Sequence, residues 1–287
     1  MIFGVLFLTR IIYLFVVFFL IISCQSREPM DYNVFEFTRL TLPEAQLEKL
    51  ENTNILFGHQ SVGNNIIDGL NTVINNNPEI RLNVQNIDSL ASYRKPAFLH
   101  FAVGVNGDPK SKCDSFKKIM DSGIGESVDI AFFKFCFVDI GEDTNVEDVF
   151  NYYVNTMDYL KKQYPQVTFI HVTAPLTVIP DNVTTRIKSF IKRILRKPDW
   201  VYTSVVQRNR YNDLLRRKYS GKEPIYDLAL LESTWPNGDL HSFIYNGSKY
   251  YSMVPIYTYD EGHLNNYSRI NAAKALINLL ASLNPTP

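Results

Sequence analysis

Apolar residues recur along this chain in two rhythms. Short, nearly unbroken apolar runs alternate with longer stretches in which an apolar side chain returns every three or four positions, the spacing of one helix face. The runs Asn54–Phe57, Arg81–Ile87, Val128–Val138, Val167–Thr173 and Ile225–Leu231 predict strands. Val62–Asn75, with Ile66, Ile67, Leu70 and Ile74 on one side, predicts a helix. Ser111–Met120, Val146–Tyr164, Thr203–Tyr219 and Tyr267–Leu283 read the same way, and a further helix is expected from Pro43, capped by Thr41. Ser89–Pro109 and the tyrosine-rich Ser233–Tyr259 read as loops.

Strands separated by helices of this length imply parallel pairing and a sheet covered on both faces. Val128–Val138 lacks a polar face, as a central strand buried on both sides requires. The expected fold is therefore α/β: a three-layer α/β/α sandwich with a central parallel sheet, flavodoxin-like. Ligands in such folds lie at the carboxyl ends of the strands. Ser61, Gly107, Asp139 and the Asp260 loop all follow strands on that edge.

The N-terminus changes the picture of location. Arg10 precedes an apolar run, Ile11–Ile22, that is short for a membrane span but suits a signal-peptide core. It ends in Ile21-Ile22-Ser23-Cys24, which resembles the lipobox of bacterial lipoproteins. The resemblance implies a signal peptide over residues 1–23, lipidation of Cys24 and attachment to a membrane through it. Gln25 then suits the outer membrane or cell surface, with the periplasmic side open. An uncleaved signal anchor is the alternative. Residues 24–40 read as a tether and 41–287 as a single domain. Cys113 and Cys136 could pair in an exported protein or remain separate thiols. The formal net charge of zero argues against a dedicated nucleic-acid binder, and no nucleic-acid partner is expected.

The candidate chemistry lies at the two ends of the domain. Gly58-His59-Gln60-Ser61-Val62-Gly63 is a tight turn with a serine after the first strand. Asp260-Glu261-Gly262-His263-Leu264-Asn265 sets a carboxylate three residues before a histidine, ahead of the last helix. A serine needs a base to take its proton, and the base needs a group to orient it. In this order the two blocks resemble those of the SGNH (GDSL-like) hydrolase superfamily, over Asn54 to Leu283. The resemblance implies Ser61 as nucleophile, His263 as base and Asp260 as its orienter, with no cofactor and no metal. It also implies an oxyanion site from the Ser61 backbone and a glycine, Gly107 first and Gly104 as rival. Two positions depart from the family pattern: Gln60 stands where Asp is usual, and Val138 stands where an asparagine would donate to the oxyanion. Lys134, Asn106 and Asn64 are the candidates to replace that donor.

The resemblance implies a serine esterase acting on an O-acyl ester, on a carbohydrate in view of the tether, through an acyl-serine intermediate. A glycan O-acyltransferase with the same triad, or a non-catalytic glycan-binding lipoprotein on a degenerate scaffold, are the alternatives.

Each feature also has a plainer reading. Ser61 could cap its helix. His59 reads as a wall residue, His171 as a satisfied core histidine, and His100 and His241 as loop residues without evident partners. No histidines or cysteines show metal-ligand spacing. The basic stretch from Arg186 to Lys218 is by default a solvated helix face, with anionic lipid or acidic polysaccharide as the sharper alternative. Trp235, Tyr245, Tyr250, Tyr251, Tyr257 and Tyr259 are either minor core or platforms for sugar rings.

Overall fold

β1 (Ile55–His59) is buried along its whole length and pairs on one side with β3 (Phe98–Ala102) and on the other with β4 (Ile130–Phe133). The computed structural model describes residues 32–87, 94–180 and 199–283; the expected leader with Cys24, and the Arg186–Lys197 part of the basic stretch, lie outside the described residues. β2 (Val84–Asn86) and β5 (Thr168–Phe169) complete a five-stranded sheet in the order β2-β3-β1-β4-β5, all parallel. Beyond Ile170, whose N–H bonds Ala131, the chain continues as β6 (His171–Val172), which pairs in parallel with β7 (Ile225–Tyr226).

Two helical layers cover the sheet. The helix α3 (Val62–Asn76) packs against α8 (Asn266–Ser282), and α2 (Glu44–Asn52) and α1 (Val34–Thr38) join that side. Gly69 permits the α3–α8 approach, since a Cβ there would stand 2.2 Å from the Arg269 carbonyl. On this face Phe57 stacks on Phe132 at 4.6 Å. The other face carries α4 (Pro109–Asp121), α5 (Val146–Gln163) and α6 (Trp200–Tyr219). Leu56, Phe101, Phe133 and Phe135 pack there with Phe116, Tyr153 and Tyr211. The strand period of two sends Phe57 to one layer and Leu56 to the other, so the inner strands carry apolar side chains toward both layers. The expected three-layer α/β/α sandwich is what the chain forms.

Several boundaries differ from expectation. The Ser89–Pro109 stretch contains β3, because Phe98 to Phe101 supply the buried strand between β1 and β2 that glycines nearby obscured. The expected strand Ile225–Leu231 stops at Tyr226. Asp227 then caps a short helix, α7 (Leu228–Ser233), its carboxylate accepting from the Leu230 N–H. The tyrosine-rich segment holds an antiparallel hairpin, β8 (Ser242–Tyr245) and β9 (Ser248–Tyr251), turned by Asn246 and Gly247 at positive φ. Thr41 caps nothing: Pro43 occupies the N-cap of α2 without a side-chain bond. Residues 34–40, expected within the tether, hold α1 and the buried Thr38 and Leu40. Asn77 fastens them, accepting from the Leu40 N–H at 2.9 Å and donating to the Thr38 carbonyl at 2.9 Å.

Cys113 and Cys136 are separate, buried thiols. His171 is the satisfied core histidine expected, between the Tyr153 hydroxyl at 2.8 Å and the Glu223 carboxylate at 2.9 Å. His100 meets His59, their ring nitrogens 3.0 Å apart, and His241 reaches the Ser252 hydroxyl at 3.1 Å.

Candidate active site

The turn between β1 and α3 holds Ser61 at φ 54°, ψ −113°, a left-handed backbone that costs a non-glycine residue on the order of 1–3 kcal/mol. The strain is held in place by tertiary contacts. Gly63 lies against the His59 ring so closely that a Cβ would come within 2.3 Å of its Cβ. Cys136 donates its thiol to the Gln60 carbonyl. Although Ser61 occupies the N-cap of α3, its side chain makes no capping bond. Its hydroxyl points instead to the opposite end of the chain, with Oγ 2.6 Å from His263 Nε2.

His263 is delivered by the loop before α8. Glu261 takes φ 75°, which folds the loop back over Asp260. Asp260 Oδ1 then accepts from the backbone N–H of Gly262 at 3.1 Å and of His263 at 2.8 Å, and from the Thr258 hydroxyl at 3.1 Å. Its Oδ2 lies 2.6 Å from His263 Nδ1. Burial alone would raise the Asp260 pKa, but the His263 backbone and ring bonds and the Gly262 N–H outweigh it and hold the carboxyl well below its usual range. The group is therefore an acceptor only, so Nδ1 carries the proton and Nε2 is left to accept from the Ser61 hydroxyl.

Three contacts not apparent in the sequence fix this loop. Asn65, one helical turn beyond Ser61, accepts from the Leu264 N–H at 3.2 Å. The Phe137 ring sits edge-on to His263 with centroids 5.4 Å apart and also lies against Gly262. Arg208, expected on a solvated face, is buried instead. It donates to the Phe137 carbonyl at 2.8 Å, the Ile140 carbonyl at 3.3 Å and the Thr177 hydroxyl at 2.7 Å. Nothing local distinguishes Arg208 from the neighbouring cations, because its partners come from distant loops. Arg216 is held likewise by a bidentate pair with Asp227, both bonds 2.7 Å.

The expected oxyanion residues are placed unevenly. Gly107 has φ 87°, but its N–H is committed to Asp139 Oδ1 at 2.8 Å. The Gly104 N–H, like that of Ser61, has no partner among the described residues. Gln60 ties this loop down, donating to the Val103 and Gly104 carbonyls at 2.9 and 2.5 Å. Lys134 does not face the site: its ammonium is buried, bonding the Phe135 carbonyl at 3.1 Å and the Cys136 thiol at 3.7 Å. Asn106 is exposed but accepts from Lys112, Asn64 is exposed on the first turn of α3, and Val138 is 49% exposed with nothing to donate. Of the tyrosine cluster, Tyr257 is core, stacked near Tyr267, and Tyr245 stacks on Tyr202 of α6. Tyr259, beside Asp260, is 76% exposed.

The buried Glu232 carboxyl lies within electrostatic reach of two buried cations, Arg208 and Lys134. Burial pushes the Glu232 carboxyl up to about 8, against the lowering pull of the Leu176 N–H, Lys134 and Arg208. The folded state thus keeps a proton that the unfolded chain releases near 4.5, so this stabilisation is complete below that pH and is lost as pH rises toward about 8. Relative to Glu232→Gln, the wild-type Tm is expected to fall by on the order of 5 °C between about pH 5 and 8. Calorimetry of the two proteins across that range checks it, and parallel Tm curves would refute it.

No family model matches this chain, and no curated protein matches it. Among solved structures, an acetyl xylan esterase, AlAXEase, is similar with 13% identity and a TM-score of 0.43, covering 78% of this chain and 98% of its own. A lipase/acylhydrolase from Enterococcus faecalis is similar with 12% identity and a TM-score of 0.43, covering 82% of this chain and 99% of its own. At that level neither a family nor a substrate passes from them to this chain.

Proposed function

We propose that this protein is a serine esterase that hydrolyses an O-acyl ester through an acyl-serine intermediate. One observation carries the reading: Ser61 Oγ, the His263 imidazole and the Asp260 carboxylate stand in line, each contact 2.6 Å, from opposite ends of the chain. In the reaction Ser61 Oγ attacks the ester carbonyl as its proton passes to His263 Nε2. The imidazolium is stabilised by Asp260, and the carbonyl oxygen becomes an oxyanion near the Ser61 turn. The Ser61 and Gly104 N–H groups are the backbone donors left to meet it. Collapse expels the alcohol, which takes the proton from Nε2. Water, deprotonated by the same imidazole, then releases the acid and restores Ser61.

The His263 and Asp260 side chains are 42% and 56% exposed. Water therefore reaches the imidazole freely, which favours hydrolysis over transfer to a second acceptor. In the same proposal the ester is carried by a carbohydrate, and Cys24 tethers the enzyme to the cell envelope, on the outer membrane or surface. Val138 favours a second reading, a glycan-binding protein without turnover, since one missing oxyanion donor costs roughly 3–4 kcal/mol of transition-state stabilisation. A fluorophosphonate probe separates them. The esterase is expected to be labelled at Ser61 alone and to release acetate from acetylated glycans; a protein that takes no label in its native state is not this enzyme.

A further inference from the structure

Lys112, in the first turn of α4, and Asp139, in the turn after β4, are joined by an ion pair of 2.6 Å with neither side chain exposed to solvent. Taking two charges out of water costs about what their attraction returns, so such a pair is a poor source of stability. Its contacts suggest another role. Asp139 Oδ1 accepts from the Gly107 N–H at 2.8 Å, and Oδ2 accepts from the Cys136 N–H at 2.5 Å. Lys112 Nζ also donates to Asn106 Oδ1 at 2.9 Å. Gly104 rests on the Lys112 backbone, where a Cβ would lie 2.6 Å from its nitrogen.

The loop after β3 is therefore gripped at Gly104, Asn106 and Gly107 by one lysine and one carboxylate. The circuit closes on the nucleophile's turn: Gln60 donates to the Val103 and Gly104 carbonyls, and its own carbonyl accepts from Cys136. We propose that the buried Lys112–Asp139 pair is a positioning clamp that holds the Gly104 N–H against the Ser61 turn for the developing oxyanion. Lys112 and Asp139 touch no reacting atom; they act through the loop. The inference rests on the esterase reading.

Two variants and one wild-type measurement test it. Lys112→Met leaves Asp139 unpaired, whereas Lys112→Met/Asp139→Leu leaves no unpaired charge and is the variant expected to keep its fold. Each, assayed on p-nitrophenyl acetate, is expected to lose about 100-fold in kcat with KM within about twofold. Phenylboronic acid, which forms a tetrahedral adduct on the serine, is expected to bind more weakly by the same factor, while end-point fluorophosphonate labelling of Ser61 persists. A loss of fold stability alone would move neither the kcat-to-KM split nor the boronate affinity of the folded protein. In the wild type, the Gly107 amide, though in an exposed loop, is expected to exchange with solvent at least about 100-fold slower than an open amide. Folded variants with wild-type kcat, or an unprotected Gly107 amide whatever the variants do, overturn the clamp. A wild-type protein with neither turnover nor Ser61 labelling removes the esterase reading itself, and the clamp with it.

Discussion

Ser61→Ala is expected to lower kcat on p-nitrophenyl acetate by about 10⁵–10⁶-fold and to move Tm by no more than about 2 °C. The first half follows from the hydroxyl being the only group in the proposal that bonds to the acyl carbon. The second follows from the geometry. The Ser61 side chain caps no helix, so its removal leaves no orphaned amide at the start of α3. The hydrogen bond lost is to an imidazole 42% exposed, which water can satisfy. Alanine also keeps a Cβ at φ 54°, so the strain of the turn is unchanged. Stopped-flow turnover and calorimetry on the two proteins test this together. Equal turnover removes Ser61 as nucleophile; a fall of many degrees in Tm would mean that the hydroxyl belongs to the fold.

Asp260→Asn is expected to cost about 10³–10⁴-fold in kcat, a smaller but still large effect. Asparagine can keep one oxygen for the Gly262 and His263 amides. It would then turn its NH₂ toward Nδ1, forcing that nitrogen to accept and placing the proton on Nε2, where it faces Ser61 and cannot take another. The exposure of the carboxylate, 56%, lets some rings escape the wrong tautomer and argues for the lower end of the range. Because the hydrogen bonds at Asp260 hold its pKa well below the usual carboxylate range, Asp260 stays ionised through mildly acid conditions. Asp260 itself therefore adds no acid limb to the wild-type kcat/KM profile in that range. A pH–rate profile of both enzymes checks this, and an Asp260→Asn enzyme with more than about a tenth of wild-type kcat would refute the orienting role.

Much of this was legible in the sequence because it depends on local patterns. Alternating apolar runs and amphipathic stretches suffice to call for a covered parallel sheet, since a strand buried on both faces can carry no polar side. Ser61, Asp260 and His263 stood out through short blocks whose residue types suit acyl transfer. The hidden parts depend on what the chain meets elsewhere. β3 was masked because Phe98–Ala102 is short and flanked by turn-forming residues, and only the pairing with β1 and β2 makes it a strand. Arg208 looked like its solvated neighbours until the Phe137 and Ile140 carbonyls were brought to it.

The oxyanion loop marks the division most sharply. The resemblance carried by the sequence implied Gly107 as the first choice for a donor and Lys134 as a substitute. Tertiary structure spends the Gly107 N–H on Asp139, buries the Lys134 ammonium beneath Cys136, and leaves Gly104 as the glycine with an uncommitted amide. A residue's type fixes what it can donate and its spacing fixes which strand end it reaches. Which lone pair it faces is set by packing among loops far apart in the chain, and that is decided only when the sheet has closed.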